Sequence, residues 1–224
     1  MNTGLSMMFR CVLFFLLAFA STALAGPWPR GAGNIFAMTS LQISAPNLGT
    51  PANYYVSNYI EYGLTKELTL GTDIGHSVSG DSKAILFLRS PIFRQITPHL
   101  FAAELGIGKV AEDFVVRPGL TYGRSFSNGT GSGWMTVDIL LEHHLGRNRT
   151  DRKLDLTYGR NHRGGFKSMW QIQAGRQRGD PSFLRIAPSF ALPMGPSAHF
   201  ELGASVALTG GREYGLKIGL WKAF

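Results

Sequence analysis

Tyr214-Gly215-Leu216-Lys217-Ile218-Gly219-Leu220-Trp221-Lys222-Ala223-Phe224 closes the chain, and its reading decides the fold. Successive side chains of a strand point to opposite faces. Tyr214, Leu216, Ile218, Leu220 and Phe224 therefore fall on one side, and Glu213, Gly215, Lys217, Gly219, Trp221 and Ala223 on the other. One side suits lipid and the other water.

The same period of two recurs backwards through the chain. Phe200, Leu202, Ala204, Val206 and Leu208 alternate with His199, Glu201, Gly203 and Ser205, and Gly210-Gly211 turns the hairpin. Leu184, Ile186, Pro188, Phe190 and Leu192 oppose Arg185, Ala187 and Ser189, although Pro188 has no N–H for a ladder. Phe166, Ser168, Trp170, Ile172 and Ala174 oppose Lys167, Gln171 and Gln173, while Leu154, Leu156 and Tyr158 oppose Lys153, Asp155 and Thr157. Met135, Val137, Ile139 and Leu141 oppose Trp134, Thr136, Asp138 and Glu142.

The N-terminal half continues with Val116, Leu120 and Tyr122 against Arg117 and Thr121, then Phe101, Ala103, Leu105 and Ile107 against Glu104 and Gly106. Leu68, Leu70 and Ile74 face away from Thr69, Gly71 and Asp73; Val56, Ile60 and Tyr62 face away from Ser57, Tyr59 and Glu61. Ala84 to Arg89 and Asn34 to Ser44 are weaker members. The count is about twelve, an even number as single-chain bacterial barrels have, with ten as the alternative. Arg124 to Gly133 reads as a long Ser-Asn-Gly-rich turn.

Met1 to Ala25 stands apart as an expected signal peptide. Arg10 precedes an apolar run from Val12 to Ala20, and Ala23-Leu24-Ala25 has the form of a cleavage site. The run is far shorter than the roughly 20 residues of a membrane-spanning helix. Residues 26–224 then form the barrel. Cys11, the chain's one cysteine, lies in the leader, so the mature chain has no thiol chemistry and no disulfide.

The chain carries 22 Lys+Arg against 14 Asp+Glu, and losing Arg10 leaves a net charge of +7. A nucleic-acid binder concentrates basic residues on one surface. Here the charges recur singly along strands, as at Arg117, Arg185 and Lys217, so nucleic acid is not an expected partner. A soluble β-sandwich also alternates. The membrane reading rests on the leader, the absence of cysteine from the remainder, the aromatic terminus, and Gly71, Gly106, Gly203 and Gly219 on the polar face. In lipid such a sheet must close, since no edge can remain unpaired.

The ending Lys217 to Phe224 resembles the assembly signal of outer-membrane barrels: a polar residue, Gly219 two later, then Leu220 and the final Phe224. Lys222 departs from that pattern at the antepenultimate place, where a lysine snorkels to the interface. The stretch Glu61-Tyr62-Gly63-Leu64-Thr65-Lys66-Glu67-Leu68-Thr69-Leu70-Gly71 resembles a hairpin of small proteobacterial outer-membrane proteins, including the family named for the meta-pathway of phenol degradation. The resemblance covers that hairpin and the terminus alone. It implies an outer-membrane location in a Gram-negative bacterium, recognition by the barrel-assembly machinery and passage of small molecules. It transfers no substrate.

Catalytic constellations are weak. His76 and Ser77 are strand neighbours on opposite faces and do not readily share a proton; His143 and His144 divide in the same way, with no further metal ligands in view. The His-spacer-Ser-Asn pattern that barrel lipid hydrolases carry is missing, so no enzyme activity is expected, and no cofactor or metal. Asn128 to Gly133 lacks the Lys-Ser/Thr ending of a phosphate loop. Arg147, Arg149 and Arg152, with Arg176 and Arg178, offer guanidinium forks to lipopolysaccharide phosphates, or form an ordinary solvated loop.

The inward set is Glu61, Asp73, Glu104, Arg117, Asp138, Lys153, Arg185, Glu201 and Lys217. Both signs are present, so a pore would have mixed walls without strong ion selectivity. The same residues, paired across a small lumen, would also obstruct it. The leading expectation is a pore for diffusion of small solutes. Its rivals are a structural or lipopolysaccharide-binding barrel and, behind that, a surface lipid hydrolase.

Overall fold

The computed structural model describes residues 26–224 apart from Leu48, Ser79, residues 94–97, Thr130 and residues 178–180. The expected leader and Arg178 therefore lie outside the described residues. Twelve strands follow in order: β1 (Ile35–Ala45), β2 (Asn53–Gly63), β3 (Thr69–Ser77), β4 (Ser82–Pro91), β5 (His99–Val110), β6 (Asp113–Asn128), β7 (Gly131–His144), β8 (Arg149–Asn161), β9 (Lys167–Arg176), β10 (Phe183–Pro193), β11 (Ala198–Thr209) and β12 (Tyr214–Ala223).

Each strand pairs antiparallel with its neighbours in sequence, and β12 returns to β1, with Phe36 opposite Ala223 and Ala45 opposite Tyr214. Closure removes both sheet edges, which is what hydrocarbon demands of a β-structure. Twelve strands replace the alternative of ten. The expected long turn at Arg124 to Gly133 is instead mostly strand, with Asn128 opposite Gly131 across a tight reversal. Small polar residues hide the alternation there, but Phe126 points outward and stacks on Tyr158 of β8 at 5.6 Å. Pro188 sits where the β10–β11 pairing is interrupted, between Ile186 and Ser189, so its missing N–H costs no ladder bond on that side, and the register is the same on both sides of the gap.

An even strand count puts both ends of the barrel sequence at one rim, termed here the terminal end. The opposite rim is the far end. The outer surface carries a band of Val56, Ile60, Leu86, Leu105, Ile107, Leu120, Ile139, Ile172, Leu202 and Ile218, each more than two-fifths exposed. In water so large an apolar patch would be a liability. Tyr62, Phe101, Tyr158 and Phe190 line the terminal-end margin of the band, and Tyr54, Phe114 and Tyr214 the far-end margin. An apolar belt between two aromatic girdles is the exterior of a membrane barrel.

The inward face is two-sided. On β2 to β6 it is bulky: Tyr59, Ile85, Phe87, Arg89, Leu100, Val115 and Arg117 pack into the lumen. On β10 to β12 it is built from Ala187, Gly203, Ser205 and Gly215, which leave space. Trp134 of β7 needs such space as well. Its indole lies over Gly159 of β8, where even one side-chain carbon would overlap the ring. Gly159→Val is expected to destabilise the barrel by about 1–3 kcal/mol through overpacking, read as a lower urea midpoint with unchanged slope. An unaltered midpoint would show that Trp134 is free to swing away.

Candidate functional site: the lumen

Seven side chains of the β2–β6 wall and of the segment before β1 join in one ionic chain. Arg30 pairs with Glu61. Glu61 Oε1 accepts from Arg89 Nη1 at 2.6 Å and from the Tyr59 hydroxyl at 2.6 Å. Arg89 Nη2 reaches Glu104 Oε2 at 2.8 Å, Glu104 Oε1 accepts from Arg117 Nη2 at 2.9 Å, and Arg117 Nη1 donates to Asp73 Oδ2 at 2.6 Å. Lys83 Nζ ends the chain on Asp73 Oδ2 at 2.8 Å.

Cross-strand register makes the chain. Gly106 lies opposite Arg117 and Phe87, Arg89 lies opposite Glu104, and the Phe87 ring crosses Gly71 of β3, where a side-chain carbon would overlap it. That ring underlies both guanidinium groups, with the Arg89 and Arg117 guanidinium carbons 5.1 and 5.4 Å from its centroid. Glu61, Glu104 and Arg117 are all less than one-tenth exposed. Buried charges persist at this density when each is matched and hydrogen-bonded, as here.

Towards the terminal end the lumen turns apolar. Phe36, Trp134, Met169, Ala191 and Trp221 form a buried cluster, joined by Trp28, Met38 and Tyr59. Trp221 Nε1 donates to Glu201 Oε2 at 2.8 Å, and Glu201 also holds Lys217 Nζ at 3.0 Å. Lys167 Nζ sits 5.8 Å from the Trp134 ring centroid and donates to Asn161 Oδ1 at 2.8 Å.

Towards the far end the β8–β12 wall is reachable by water. The Lys153 side chain is half exposed, although its Nζ lies 2.9 Å from Asp155 Oδ2. Arg185 pairs with Glu213 at the rim. Gln42, Gln171, Gln173, Ser205 and Lys217 are all partly exposed on the inward face. Asp138, between the hydroxyls of Thr121 and Thr136, faces the same space. Among the described residues the lumen is thus polar and partly exposed along its far half and filled at the terminal end.

All nine charged residues expected on the inward face lie on it, and Glu61, Asp73, Glu104 and Arg117 meet in one cluster. Asp138, Lys153, Arg185, Glu201 and Lys217 are spread over the opposite wall. Sequence reasoning missed Arg30, Lys83 and Arg89, which supply the charge balance. Lys83 and Arg89 carried a signal, since both alternate with the outward positions Ala84, Leu86 and Leu88 of one strand.

His76 points outward and Ser77 inward. His144 is fully buried, with Nδ1 3.2 Å from Asp113 Oδ2 and Nε2 3.0 Å from Asp151 Oδ2, whereas His143 lies outside against Thr150. Among the described residues no group of His, Cys, Asp and Glu is arranged to hold a metal ion. Of the basic far-end residues, Arg152 and Arg176 are outward and face one another across β8 and β9. Arg147 is exposed and bound to Asp113, and Arg149 shares the inward face with Asp151. At the terminal strand Gly219 and Trp221 are inward, Leu220 is outward, and Lys222 Nζ lies 4.5 Å from the Phe224 ring centroid.

No protein-family model matches the chain, and no curated protein matches it by sequence. The family resemblance of the Glu61 to Gly71 hairpin is accordingly not confirmed. Solved structures do match. The KdgM porin, solved in complex with disordered oligogalacturonate, superposes with a TM-score of 0.63 at 7% identity over 85% of this chain and 99% of that one. CdiB from Acinetobacter baumannii superposes with a TM-score of 0.51 at 9% identity, over 85% of this chain and 60% of that one. The chain therefore has the fold of a small closed membrane β-barrel, a fold it shares with an outer-membrane porin.

Proposed function

We propose that the protein is an outer-membrane channel of a Gram-negative bacterium through which small solutes diffuse. One observation carries the reading: the far half of the inward face of β8 to β12 is polar and its side chains are partly exposed, with Lys153 half exposed, which a barrel serving only as a membrane staple does not need. The shared fold with a porin supports it. Three cations on that wall are matched by acids, Lys153 by Asp155, Arg185 by Glu213 and Lys217 by Glu201, while Lys167 bonds to Asn161, so the wall carries both signs. A neutral or mildly charged solute enters such a space at little electrostatic cost.

In planar bilayers the expected result is stepwise conductance with comparable K⁺ and Cl⁻ permeability. Silence from the wild-type chain, and equally from the variants described below that loosen the terminal end, would overturn the channel.

A second reading has its own observation. Arg152 and Arg176 oppose each other on the lipid-facing side, near the far rim, with no carboxylate between them among the described residues. Like charges placed directly across a ladder repel. A lipopolysaccharide phosphate bridging the two forks would relieve that repulsion. This contact accompanies the channel and does not compete with it.

A further inference from the structure

Residues 26–34 precede β1 but do not leave the barrel; they turn into the lumen at its terminal end. The Gly26 carbonyl accepts from Arg89 Nη1 at 3.0 Å. Arg30 N donates to Thr69 Oγ1 at 3.3 Å, and the Arg30 guanidinium pairs with Glu61 while lying 4.4 Å from the Phe36 ring centroid. Trp28 joins the buried cluster of Phe36, Trp134, Met169 and Trp221. Gly33 N donates to Gly63 O at 2.9 Å, and Gly63 N to Asn34 O at 3.0 Å.

The wall is shaped to receive this segment. A side-chain carbon at Gly63 of β2 would overlap the Gly31 carbonyl. One at Gly123 of β6 would overlap the Pro27 ring and lie 2.9 Å from the Trp28 indole. Two strands that do not neighbour each other thus omit a side chain where the same segment passes.

The segment is also separable from the barrel. The ladder closes between β1 and β12 without it, and Pro27 and Pro29 have no N–H to place in a sheet. If Arg30 leaves, Glu61 retains Arg89 and the Tyr59 hydroxyl, so no buried charge is stranded. Departure would cost the Arg89–Gly26 and Gly33–Gly63 hydrogen bonds and the Trp28 contact but would strand no ion, which is the condition for a second, open state.

We propose that the terminal half of the lumen is a binding site for residues 26–33, and that this segment is a plug whose departure opens the channel. The seat stands on the geometry alone; the gating rests on the channel reading above.

The test compares wild type with Gly123→Leu, which fills the Pro27 seat, and Arg30→Gln, which removes the Glu61 pair while leaving every wall residue in place. Circular dichroism first establishes that each keeps the wild-type β-content. Conductance in planar bilayers is expected to rise about tenfold in both variants as the open population grows. Trypsin is expected to cut after Arg30 in Gly123→Leu and to spare that bond in wild type. Equal conductance in all three proteins, with Arg30 protected throughout, would overturn the plug and leave the channel standing. Cleavage confined to Gly123→Leu with no conductance from any protein would confirm the seat and remove the channel together with its gating.

Discussion

Arg117→Met is expected to destabilise the barrel by about 3–5 kcal/mol, the usual cost of removing one partner from a buried ion pair. Arg117 is 1% exposed and hydrogen-bonds two carboxylates at once, Asp73 at 2.6 Å and Glu104 at 2.9 Å, with Glu142 of β7 a third at 3.9 Å. Both acids retain a second cation, Lys83 for Asp73 and Arg89 for Glu104, which places the loss near the lower limit of that range. Reversible urea unfolding in lipid vesicles measures it. The double variant Arg117→Met with Glu104→Gln should be less destabilised than the sum of the single changes, because the stranded acid has been neutralised along with its partner. A loss well under 1 kcal/mol for Arg117→Met would mean that water enters the cluster and hydrates the acids, and with it that the β2–β6 wall is part of the open passage.

How much of this was readable in the sequence depends on contrast between the two faces. Where a strand alternates large apolar with polar residues, as from Tyr214 to Phe224, each side chain falls on the side that its chemistry indicates. Contrast fails on β4, where Ile85 and Phe87 point inward while Ala84, Leu86 and Leu88 point outward. Both faces are apolar there, because the inward pair packs beneath guanidinium groups instead of meeting water.

The pairings themselves were out of reach. Arg117 meets Asp73 through register that runs across β3, β4, β5 and β6, and spacing along one strand carries no information about it. The plug was invisible for a related reason. Pro27, Pro29, Gly31 and Gly33 show no alternation, and nothing local ties them to Gly63 or Gly123, whose missing side chains acquire meaning only when the barrel has closed.

The two faces predict opposite outcomes for one substitution at adjacent positions. Ile172 and Gln173 follow one another in β9, the first outward in the apolar band and 43% exposed, the second inward on the polar wall. Ile172→Arg places a guanidinium in hydrocarbon near the middle of the strand, where it must snorkel or thin the bilayer, and the expected loss is about 2–4 kcal/mol. Gln173→Arg places the same group between Asp155 of β8, whose Oδ1 is buried without a hydrogen-bond partner, and Arg185 of β10, whose charge is already matched by Glu213. There the new cation meets water and an unsatisfied carboxylate oxygen, so the cost should stay below about 1 kcal/mol, in the range of ordinary exposed pairs. Unfolding midpoints of the two variants in the same vesicles decide the matter. A larger loss at Gln173 would mean a dry interior along β8 to β10, and the channel would then have no passage to run through.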